Sequence, residues 1–387
     1  MNVVYFISTL KGNSGKGGHY NSLKTLANEI SREHTVTVIN IGIKDSIILN
    51  QDANNFKYVF IEISVISFLS SFIKLKTLIK KIKPEVIHCF DRSAYLWGSH
   101  IARKLKIKLF LTKCGGKTPK WFPNAKNFIV FNPKDFDYYK NKRNKNNPIN
   151  LIPNRVTPIL PDHERINLLK KQFVKDGEMV LLRIARFTQL NRPSLEQSLN
   201  LIDTLSEKLN IRLLIIGDIQ DENVYDMILN KINSSNTTII TDSFFTKNAQ
   251  ELIPVANAVV SSGRSLMEAA YFEIPVLVPN SNFNIPILLT QKTFASAFYE
   301  NFSYRTNFSN LDYSNNDVLE DIMNVIANSN CQELNKEFLK SINKEYFLLK
   351  PIINKYIQLY KDADQSSSFN LLKDFGVNLF FVGKAII

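Results

Sequence analysis

The segment Ser261–Asn280 contains the residue types that could bind a phosphorylated ligand. Its sequence, SSGRSLMEAAYFEIPVLVPN, reads as a strand end, a glycine turn, a helix start and a second buried strand. Gly263 allows a tight turn, and the amides of Arg264 and Ser265 would face a ligand at the positive end of the helix. The Glu268 carboxylate, one turn later, could accept hydrogen bonds from ribose hydroxyls while Arg264 and the amides neutralise a diphosphate. The alternative is a capped helix with a surface pair between Arg264 and Glu268.

Three arginines near the predicted strand Val180–Ile184 could bind the same kind of anion. The pattern puts Arg183 and Arg186 at the end of this strand, and Arg192 beyond a short loop. Guanidinium groups there can hold a diphosphate through paired hydrogen bonds. We expect Arg186 and Arg192 to do so, and to stabilise charge on a leaving group. The alternative is a solvated basic loop.

A glycine-rich loop, Gly12–Gly18 (GNSGKGG), follows the first predicted strand and precedes a helix. It is not a P-loop, because Lys16 is followed by glycine and not by Ser or Thr, and its spacing does not match a dinucleotide fingerprint. Gly17 and Gly18 would still let the backbone approach a ligand closely. A structural turn is the alternative.

Two polar residues are associated with the predicted strand Val86–Cys89. We expect His88 to be a core histidine with its hydrogen bonds satisfied, and Asp91, just past the strand, to contact a sugar or an acceptor. The sequence contains no two carboxylates at the kind of fixed spacing that would indicate the nucleophile and acid of a glycosidase. The three cysteines, Cys89, Cys114 and Cys331, are too widely spaced to predict a disulfide framework or a metal site. We expect no metal and no cofactor.

These residues require a framework of alternating strands and helices. Both halves of the 387-residue chain show it, which predicts an α/β protein with two Rossmann-like, doubly wound domains facing a cleft. We expect a first domain over 1–158, a second over 159–345, and a helical segment with an apolar tail over 346–387 that packs on the first domain or on a membrane. The predicted strands are Val3–Ser8, Val36–Ile41, Tyr58–Ile63, Val86–Cys89, Leu109–Thr112, Phe128–Phe131, Leu151–Pro153, Val180–Ile184, Arg212–Gly217, Thr237–Thr241, Ala258–Ser261 and Pro275–Val278. A helical run is predicted over Glu333–Tyr360.

The net charge of +13 favours a polyanionic partner, and two segments favour an anionic membrane surface over nucleic acid. Phe68–Lys83 is predicted to be a basic amphipathic helix, with a core helix that has a lysine-rich solvent face as the alternative. The tail Phe369–Ile387 is apolar but interrupted by charges and glycines. Its apolar stretches are too short to span a bilayer. Because the first residues also lack the features of a secretion signal, we expect a cytoplasmic protein at the inner face of the cell membrane.

The order of these motifs resembles that of the retaining glycosyltransferases of family 4, which have the two-domain GT-B fold. The segment KGGHYNSLKTLANEISREHTVTVI resembles their glycine loop, helix and second strand, and KPEVIHCFD resembles their Asp-Val-Ile-His-x-His element. LIPNRV is similar to Ile-Pro-Asn-Gly-Val, and RIARFTQLNRPSLEQSLNLI to a Gly-Arg-Leu segment followed by lysine. SSGRSLMEAAYFEIPVLVPN resembles the block that ends their paired-glutamate motif. The likeness covers nearly the whole chain.

The resemblance implies a set of donor-binding residues, which are Glu268 for the ribose, Gly263, Arg264 and Ser265 for the diphosphate, Arg186 and Arg192 for the phosphates and the leaving-group charge, and Gly17 and Gly18 for the sugar-phosphate side. Four positions depart from the family. Val260 replaces the first glutamate, Phe90 the second histidine, Arg192 a lysine and Arg155 a glycine. We therefore expect an intact donor site and an altered sugar site.

The sequence thus predicts a glycosyltransferase that moves a sugar from a UDP- or GDP-linked donor to a lipid-linked, lipopolysaccharide or capsule glycan, with retention of configuration. The candidate catalytic residues are Asp91, Arg186, Arg192 and Glu268. Two alternatives remain: a nucleotide-sugar epimerase of the same fold, and a non-catalytic partner subunit that binds glycan.

Overall fold

The computed structural model describes residues 1–364 except 11–14, 16, 53, 65, 120–121, 143–147 and 234. The chain forms two compact units, which are described separately. Unit 1 comprises Met1–Thr157 and the segment from Leu349 onward, and unit 2 comprises Pro158–Leu348. The tail Phe369–Ile387 and the residues Gly12 and Lys16 of the glycine-rich loop lie outside the described residues.

Unit 1 is built on a parallel sheet of seven strands in the order β3-β2-β1-β4-β5-β6-β7. Its elements up to residue 151 are β1 (Asn2–Thr9), α1 (Gly18–Ile30), β2 (Thr35–Gly42), β3 (Lys57–Glu62), α2 (Phe68–Ile82), β4 (Val86–Cys89), α3 (Arg92–Leu105), β5 (Lys108–Lys113), β6 (Asn127–Val130), α4 (Pro133–Lys142) and β7 (Ile149–Leu151). The central strands are buried on both faces, which is why they appear in the sequence as continuous apolar runs.

Unit 2 is built on a sheet of six strands in the order β10-β9-β8-β11-β12-β13, in which only the last pair is antiparallel. Its elements are α5 (His163–Phe173), β8 (Met179–Ile184), α6 (Arg192–Leu205), β9 (Ile211–Ile216), α7 (Glu222–Leu229), β10 (Thr237–Ile240), α8 (Ser243–Thr246), a 3₁₀ helix (Ala249–Val255), β11 (Ala258–Val260), α9 (Arg264–Tyr271), β12 (Val276–Val278), β13 (Ile287–Leu288), α10 (Gln291–Tyr299), α11 (Asn315–Ala327), α12 (Ser329–Ile342) and a π-helical turn (Asn343–Phe347). The prediction of two doubly wound α/β domains is confirmed. Strand β13 was not predicted, because two residues are too few to show a periodicity.

The long helical run predicted over Glu333–Tyr360 is broken. Helix α12 ends at Ile342, and after the π-helical turn a short 3₁₀ helix, Lys350–Ile352, leads into α13 (Ile353–Asp362). Pro351 explains the break, because proline lacks the backbone N–H that a continuous helix requires. The prediction of one helix was therefore wrong.

Helix α13 packs on the sheet of unit 1. Tyr356 and Tyr360 belong to the same buried core as Leu23 of α1, so these two helices cover one face of the sheet. The Lys108 ammonium donates hydrogen bonds to the carbonyls of Tyr360 and Lys361 at 3.0 and 2.8 Å, which satisfies two of the last carbonyls of the helix. The segment that follows the second unit thus completes the core of the first.

Helix α2 packs with α3 on the opposite face. The apolar stripe that was predicted for a membrane faces this core, with two residues buried and three partly buried; they are Leu75, Ile79, Phe68, Phe72 and Ile82. The core alternative is thus correct for this stripe, because side chains that contact the sheet are not available to lipid. The lysines of α2 lie on the remaining surface of the helix.

Candidate functional site

The point at which each sheet reverses its strand order is where open α/β sheets bind ligands. In unit 2 the reversal lies between β8, the first strand of the unit, and its hydrogen-bonded neighbour β11. In unit 1 it lies between β1 and β4. The segments that follow these four strands contain nearly all of the predicted site residues.

The glycine turn of unit 2 leads from β11 into α9 as the sequence predicts. Gly263 has φ +57° and ψ −128°, which only glycine adopts at low cost, and its amide donates to the Phe302 carbonyl at 3.0 Å. The Ser261 hydroxyl donates to the Ser265 hydroxyl, which donates in turn to the Ser262 carbonyl, both at 2.9 Å. The two serines therefore brace the turn from which the first amides of α9 emerge.

Arg264 and Glu268 form the ion pair of the alternative interpretation, but it is not a surface pair. The Arg264 Nε donates to the Glu268 Oε1 at 2.8 Å, and both side chains are only about one-seventh exposed. Burial raises the pKa of Glu268, and the neighbouring Arg264 guanidinium opposes that rise. The pair therefore holds a buried carboxylate in a fixed position one turn into the helix, where the predicted ribose contact requires one.

Arg186 and Arg192 lie after β8 but have different surroundings. The Arg186 Nη1 donates to the Gln220 Oε1 at 3.3 Å, and burial lowers the pKa of its half-buried guanidinium while Asp218 opposes the decrease. Among the described residues Arg186 makes no ion pair within 4.0 Å. Arg192, the first residue of α6, is paired with Glu196 at 3.0 Å. Arg186 is therefore the more available of the two for an anionic ligand.

Arg183 does not point toward a ligand, and that part of the prediction was wrong. It lies inside β8, opposite Val260 of β11, and only 1% of it is exposed. Its Nη1 donates to the Val260 carbonyl at 3.0 Å and its Nη2 to the Ser194 hydroxyl at 2.6 Å, while its Nε has no hydrogen-bond partner among the residues that the structure describes. Burial lowers the pKa of Arg183 to about 10. Arg183 therefore joins the two strands at the reversal point.

Asp91 joins the corresponding strands of unit 1. Its carboxylate caps α3 by accepting the Ala94 amide at 2.7 Å, and it also accepts the amide and hydroxyl of Ser8, at the end of β1, at 2.7 and 2.8 Å. Burial raises the pKa of Asp91, and these hydrogen bonds oppose the rise. Asp91 thus has a structural function at the reversal point, and the contact with a sugar or acceptor stays a prediction.

The glycine-rich loop of unit 1 ends at Gly17 and Gly18, where α1 begins. Gly17 is extended at φ −72°, and among the described residues no atom lies within 4 Å of where a Cβ of Gly18 would stand. Neither residue has a positive φ. Backbone strain therefore does not require glycine here, and the space beside Gly18 is open.

His88 is confirmed as a core histidine with satisfied nitrogens. Its Nδ1 is hydrogen-bonded to the Tyr360 hydroxyl at 2.6 Å and its Nε2 to the Thr112 hydroxyl at 2.7 Å. Burial lowers the pKa of His88 to about 3, so the ring is neutral at physiological pH. The neighbouring Phe90 is also buried and packs against His88 and Tyr5. An apolar ring therefore occupies the position of the second histidine.

Of three comparisons with known proteins, a family model and the solved structures match this chain. Residues 14–140 match the family model described as glycosyl transferase 4-like. No curated protein sequence matches the chain significantly. A glycosyltransferase from Rickettsia africae superposes with a TM-score of 0.67 at 15% identity, covering 93% of this chain and 98% of its own. Anabaena HepE in complex with UDP and glucose gives 0.65 at 13%, covering 94% and 100%. WaaG, a glycosyltransferase involved in lipopolysaccharide biosynthesis, gives 0.58 at 12%, covering 93% and 100%.

The chain has the GT-B fold. Two observations support this assignment. Both sheets have the strand order of dinucleotide-binding domains, and glycosyltransferase structures superpose on almost the whole chain. At these identities the structural likeness establishes the fold alone, so the roles of individual residues follow from the geometry described above.

The described residues of the GT-B chain contain neither a membrane-spanning helix nor a cluster of metal ligands. Its helices include none that is long and apolar enough to cross a bilayer. No three His, Cys, Asp or Glu side chains are grouped so that they could hold a metal ion.

Proposed function

We propose that this protein is a retaining glycosyltransferase that moves a sugar from a UDP- or GDP-linked donor to a lipid-linked, lipopolysaccharide or capsule glycan. The observation that carries the proposal is the reversal point of unit 2. There the positive-φ turn at Gly263, the half-buried Arg186 and the buried Glu268 follow two neighbouring strands. A nucleotide diphosphate needs donors for its phosphates and an acceptor for its ribose, and these residues supply both.

In this proposal the nucleotide binds to unit 2. The amides at the start of α9 and the Arg186 guanidinium hold the diphosphate, and the Glu268 carboxylate accepts the ribose hydroxyls. Arg264 keeps that carboxylate in place through the 2.8 Å ion pair. Arg192 joins the diphosphate by exchanging its contact with Glu196 for one with a phosphate oxygen. The solved HepE complexes with UDP and with UDP-glucose support a nucleotide-sugar donor, since they share this fold.

In the proposed transfer no side chain acts as a nucleophile or as a general acid. The bond between the anomeric carbon of the sugar and the diphosphate oxygen breaks, and a bond to the acceptor oxygen forms on the same face. The acceptor proton passes to the departing diphosphate. Arg186 and Arg192 stabilise the negative charge that develops there, and the remaining contribution is positioning. No metal or cofactor takes part in the proposed step.

Val260 is the main reason to test catalysis directly. It stands where the family has its first glutamate, and its carbonyl accepts the hydrogen bond from buried Arg183. No carboxylate is therefore supplied at that position. If the missing glutamate is essential, the protein is a non-catalytic subunit that binds a donor or a glycan.

Product analysis with the full chain tests the proposal. Incubation with a panel of UDP- and GDP-sugars should release nucleoside diphosphate from one of them, slowly with water as acceptor and faster with a glycan acceptor. NMR should detect a product with the donor's anomeric configuration. An inverted product would contradict retention, and an epimerised nucleotide sugar formed without acceptor would identify the epimerase. Donor binding without any turnover would identify the non-catalytic subunit.

The acceptor side of the proposal rests on charge and on WaaG. The net charge of +13 favours association with an anionic surface, and the WaaG structure, which shares the fold, is that of an enzyme involved in lipopolysaccharide biosynthesis. We therefore place the protein in the cytoplasm, at the inner face of the cell membrane that carries its acceptor.

A further inference from the structure

We propose that one corner of unit 1, formed by the segments that follow β2 and β3, inserts apolar side chains into an anionic lipid bilayer. We call this surface the β2–β3 corner. It consists of the exposed side chains of Ile43, Ile47, Ile66, Leu69 and Ile73 together with the exposed lysines of α2. The inference deepens the proposed function and rests on it only for the presence of the acceptor in a membrane.

The exposed apolar side chains of unit 1 are concentrated at this corner. Among the described residues of the unit, every large hydrophobic side chain classed as exposed follows β2 or β3. Ile66, Leu69 and Ile73 are 98%, 76% and 63% exposed. Strands β2 and β3 are parallel neighbours with Gly42 opposite Glu62, so the two segments leave the sheet side by side. Single exposed hydrophobics are ordinary, but a group at one place marks an interaction surface.

The exposed surface of α2 is apolar near the beginning of the helix and cationic near its end. Within α2, Leu69, Ile73, Lys76 and Lys80 recur at intervals of four, three and four, which places them in one line along the helix. Ile66 precedes the helix and Lys83 follows it, and both are exposed, whereas Lys76 is partly exposed. Lys74 and Lys81 lie elsewhere on the outer surface of the helix and are also exposed. None of these residues belongs to the core-facing stripe of α2, so the outward line is a separate surface.

The charges of this surface favour a bilayer over two other occupants. Helix α2 contains no acidic residue, and among the described residues its exposed lysines form no ion pair. A second copy of this chain in a symmetric dimer would bring the same lysines together. The apolar tail Phe369–Ile387 contains two lysines and one aspartate, so the net charge of its side chains is positive and does not complement the lysines of α2. An anionic bilayer offers headgroups for the lysines and hydrocarbon for the apolar residues.

Flotation of the full chain with vesicles tests the proposal without donor or acceptor, so that failure of docking and failure of transfer are distinguishable. The protein should float with vesicles of phosphatidylcholine mixed with phosphatidylglycerol, less with phosphatidylcholine alone, and less as salt is added. The triple variant Ile66→Ser, Leu69→Ser, Ile73→Ser should bind at least about tenfold more weakly. Replacing Lys80, Lys81 and Lys83 by Gln should also weaken binding, by roughly fivefold or less per lysine.

The controls use comparable residues of unit 2. Leu160→Ser with Leu334→Ser removes exposed leucines, and Lys170→Gln, Lys171→Gln and Lys208→Gln removes exposed lysines. Both control variants should bind vesicles as the wild type does, and every variant should bind UDP or GDP as the wild type does. Absence of wild-type flotation, or an equal loss in the test and control variants, would overturn the proposal. A dimer that dissociates in the Ser variant, without vesicle binding, would also overturn it and assign the β2–β3 corner to a second copy.

Discussion

At the scale of single residues, the candidate donor site depends on the conformation of Gly263 and on which cations are already paired. Gly263 adopts the backbone conformation of the first central position of a type II′ turn, which side chains other than glycine adopt at a cost. Arg186 is not ion-paired among the described residues, whereas Arg192 is held by Glu196. Two predictions follow from these differences.

Gly263→Ala should destabilise the protein by about 1–2 kcal/mol, because a side chain at φ +57° is strained even where space is open. It should also weaken binding of the nucleotide, because the turn aims the first amides of α9. Gly18→Ala is the matched control for stability, since Gly18 has no positive φ and, in the described part of the chain, no neighbour within 4 Å of the added methyl group. Chemical denaturation measures both variants. Equal stability of the two would contradict the argument from backbone strain.

Arg186→Ala should weaken nucleotide binding more than Arg192→Ala. A charged hydrogen bond contributes about 1.5–3 kcal/mol, so loss of Arg186 should cost roughly ten- to a hundredfold in affinity. The cost should be smaller for Arg192, since the ligand must first displace Glu196. Glu196→Gln should then strengthen binding by freeing Arg192. Calorimetric titration of the three variants decides this, and a reversed order would show that Arg192 is the principal phosphate contact.

At the scale of helices and strands, α13 is tied to unit 1 through Tyr360. Its hydroxyl is hydrogen-bonded to the buried His88 at 2.6 Å and to the Tyr5 hydroxyl at 3.1 Å. The three residues Tyr360, His88 and Tyr5 belong to α13, β4 and β1, respectively. The network links the segment that returns from unit 2 to the central strands of unit 1.

Tyr360→Phe should lower the free energy of unfolding by about 1–3 kcal/mol, because it leaves a buried His88 nitrogen without its partner. Tyr356→Phe is the control on the same helix, since Tyr356 is also buried but its hydroxyl makes no hydrogen bond among the described residues. Its loss should change stability by much less. Thermal and denaturant unfolding should separate the two variants, and equal effects would indicate that packing and not the hydrogen bond holds α13.

The strands were predictable because parallel strands buried on both faces are continuous apolar runs, as in β1 and β9. The turn at Gly263 was predictable from its glycine and the helix pattern after it. Arg183 was not, because its position next to the strand end suggested exposure, whereas its register with Val260 places it in the core. The break at Pro351 could have been predicted from proline alone. The orientation of α2 depends on tertiary packing, because the sequence alone does not tell which apolar line of the helix faces the core and which faces outward.

At the scale of the whole molecule, the GT-B fold provides two sheets, each with a reversal point that a charged side chain bridges. Asp91 bridges β4 and β1 in unit 1, and Arg183 bridges β8 and β11 in unit 2. In the proposed function only the second reversal point binds the nucleotide, because Gly263, Arg186 and Glu268 all belong to unit 2. At the reversal point of unit 1, the chain leaves β1 toward Gly17 and Gly18 and leaves β4 at Asp91.

Calorimetric titration of UDP and GDP into the full chain at several pH values tests the central claim most directly. One nucleotide should bind the wild type, and Glu268→Gln should weaken binding at least about tenfold. Because burial raises the pKa of Glu268 and the charged carboxylate is the better acceptor, wild-type affinity should rise with pH through a range above the usual glutamate pKa. The part of the slope that comes from Glu268 should be lost in Glu268→Gln and kept in the exposed control Glu320→Gln, whereas a slope from titration of the nucleotide itself would be the same in all three proteins. Binding of neither nucleotide, or the same affinity and slope in Glu268→Gln as in the wild type, would contradict the claim.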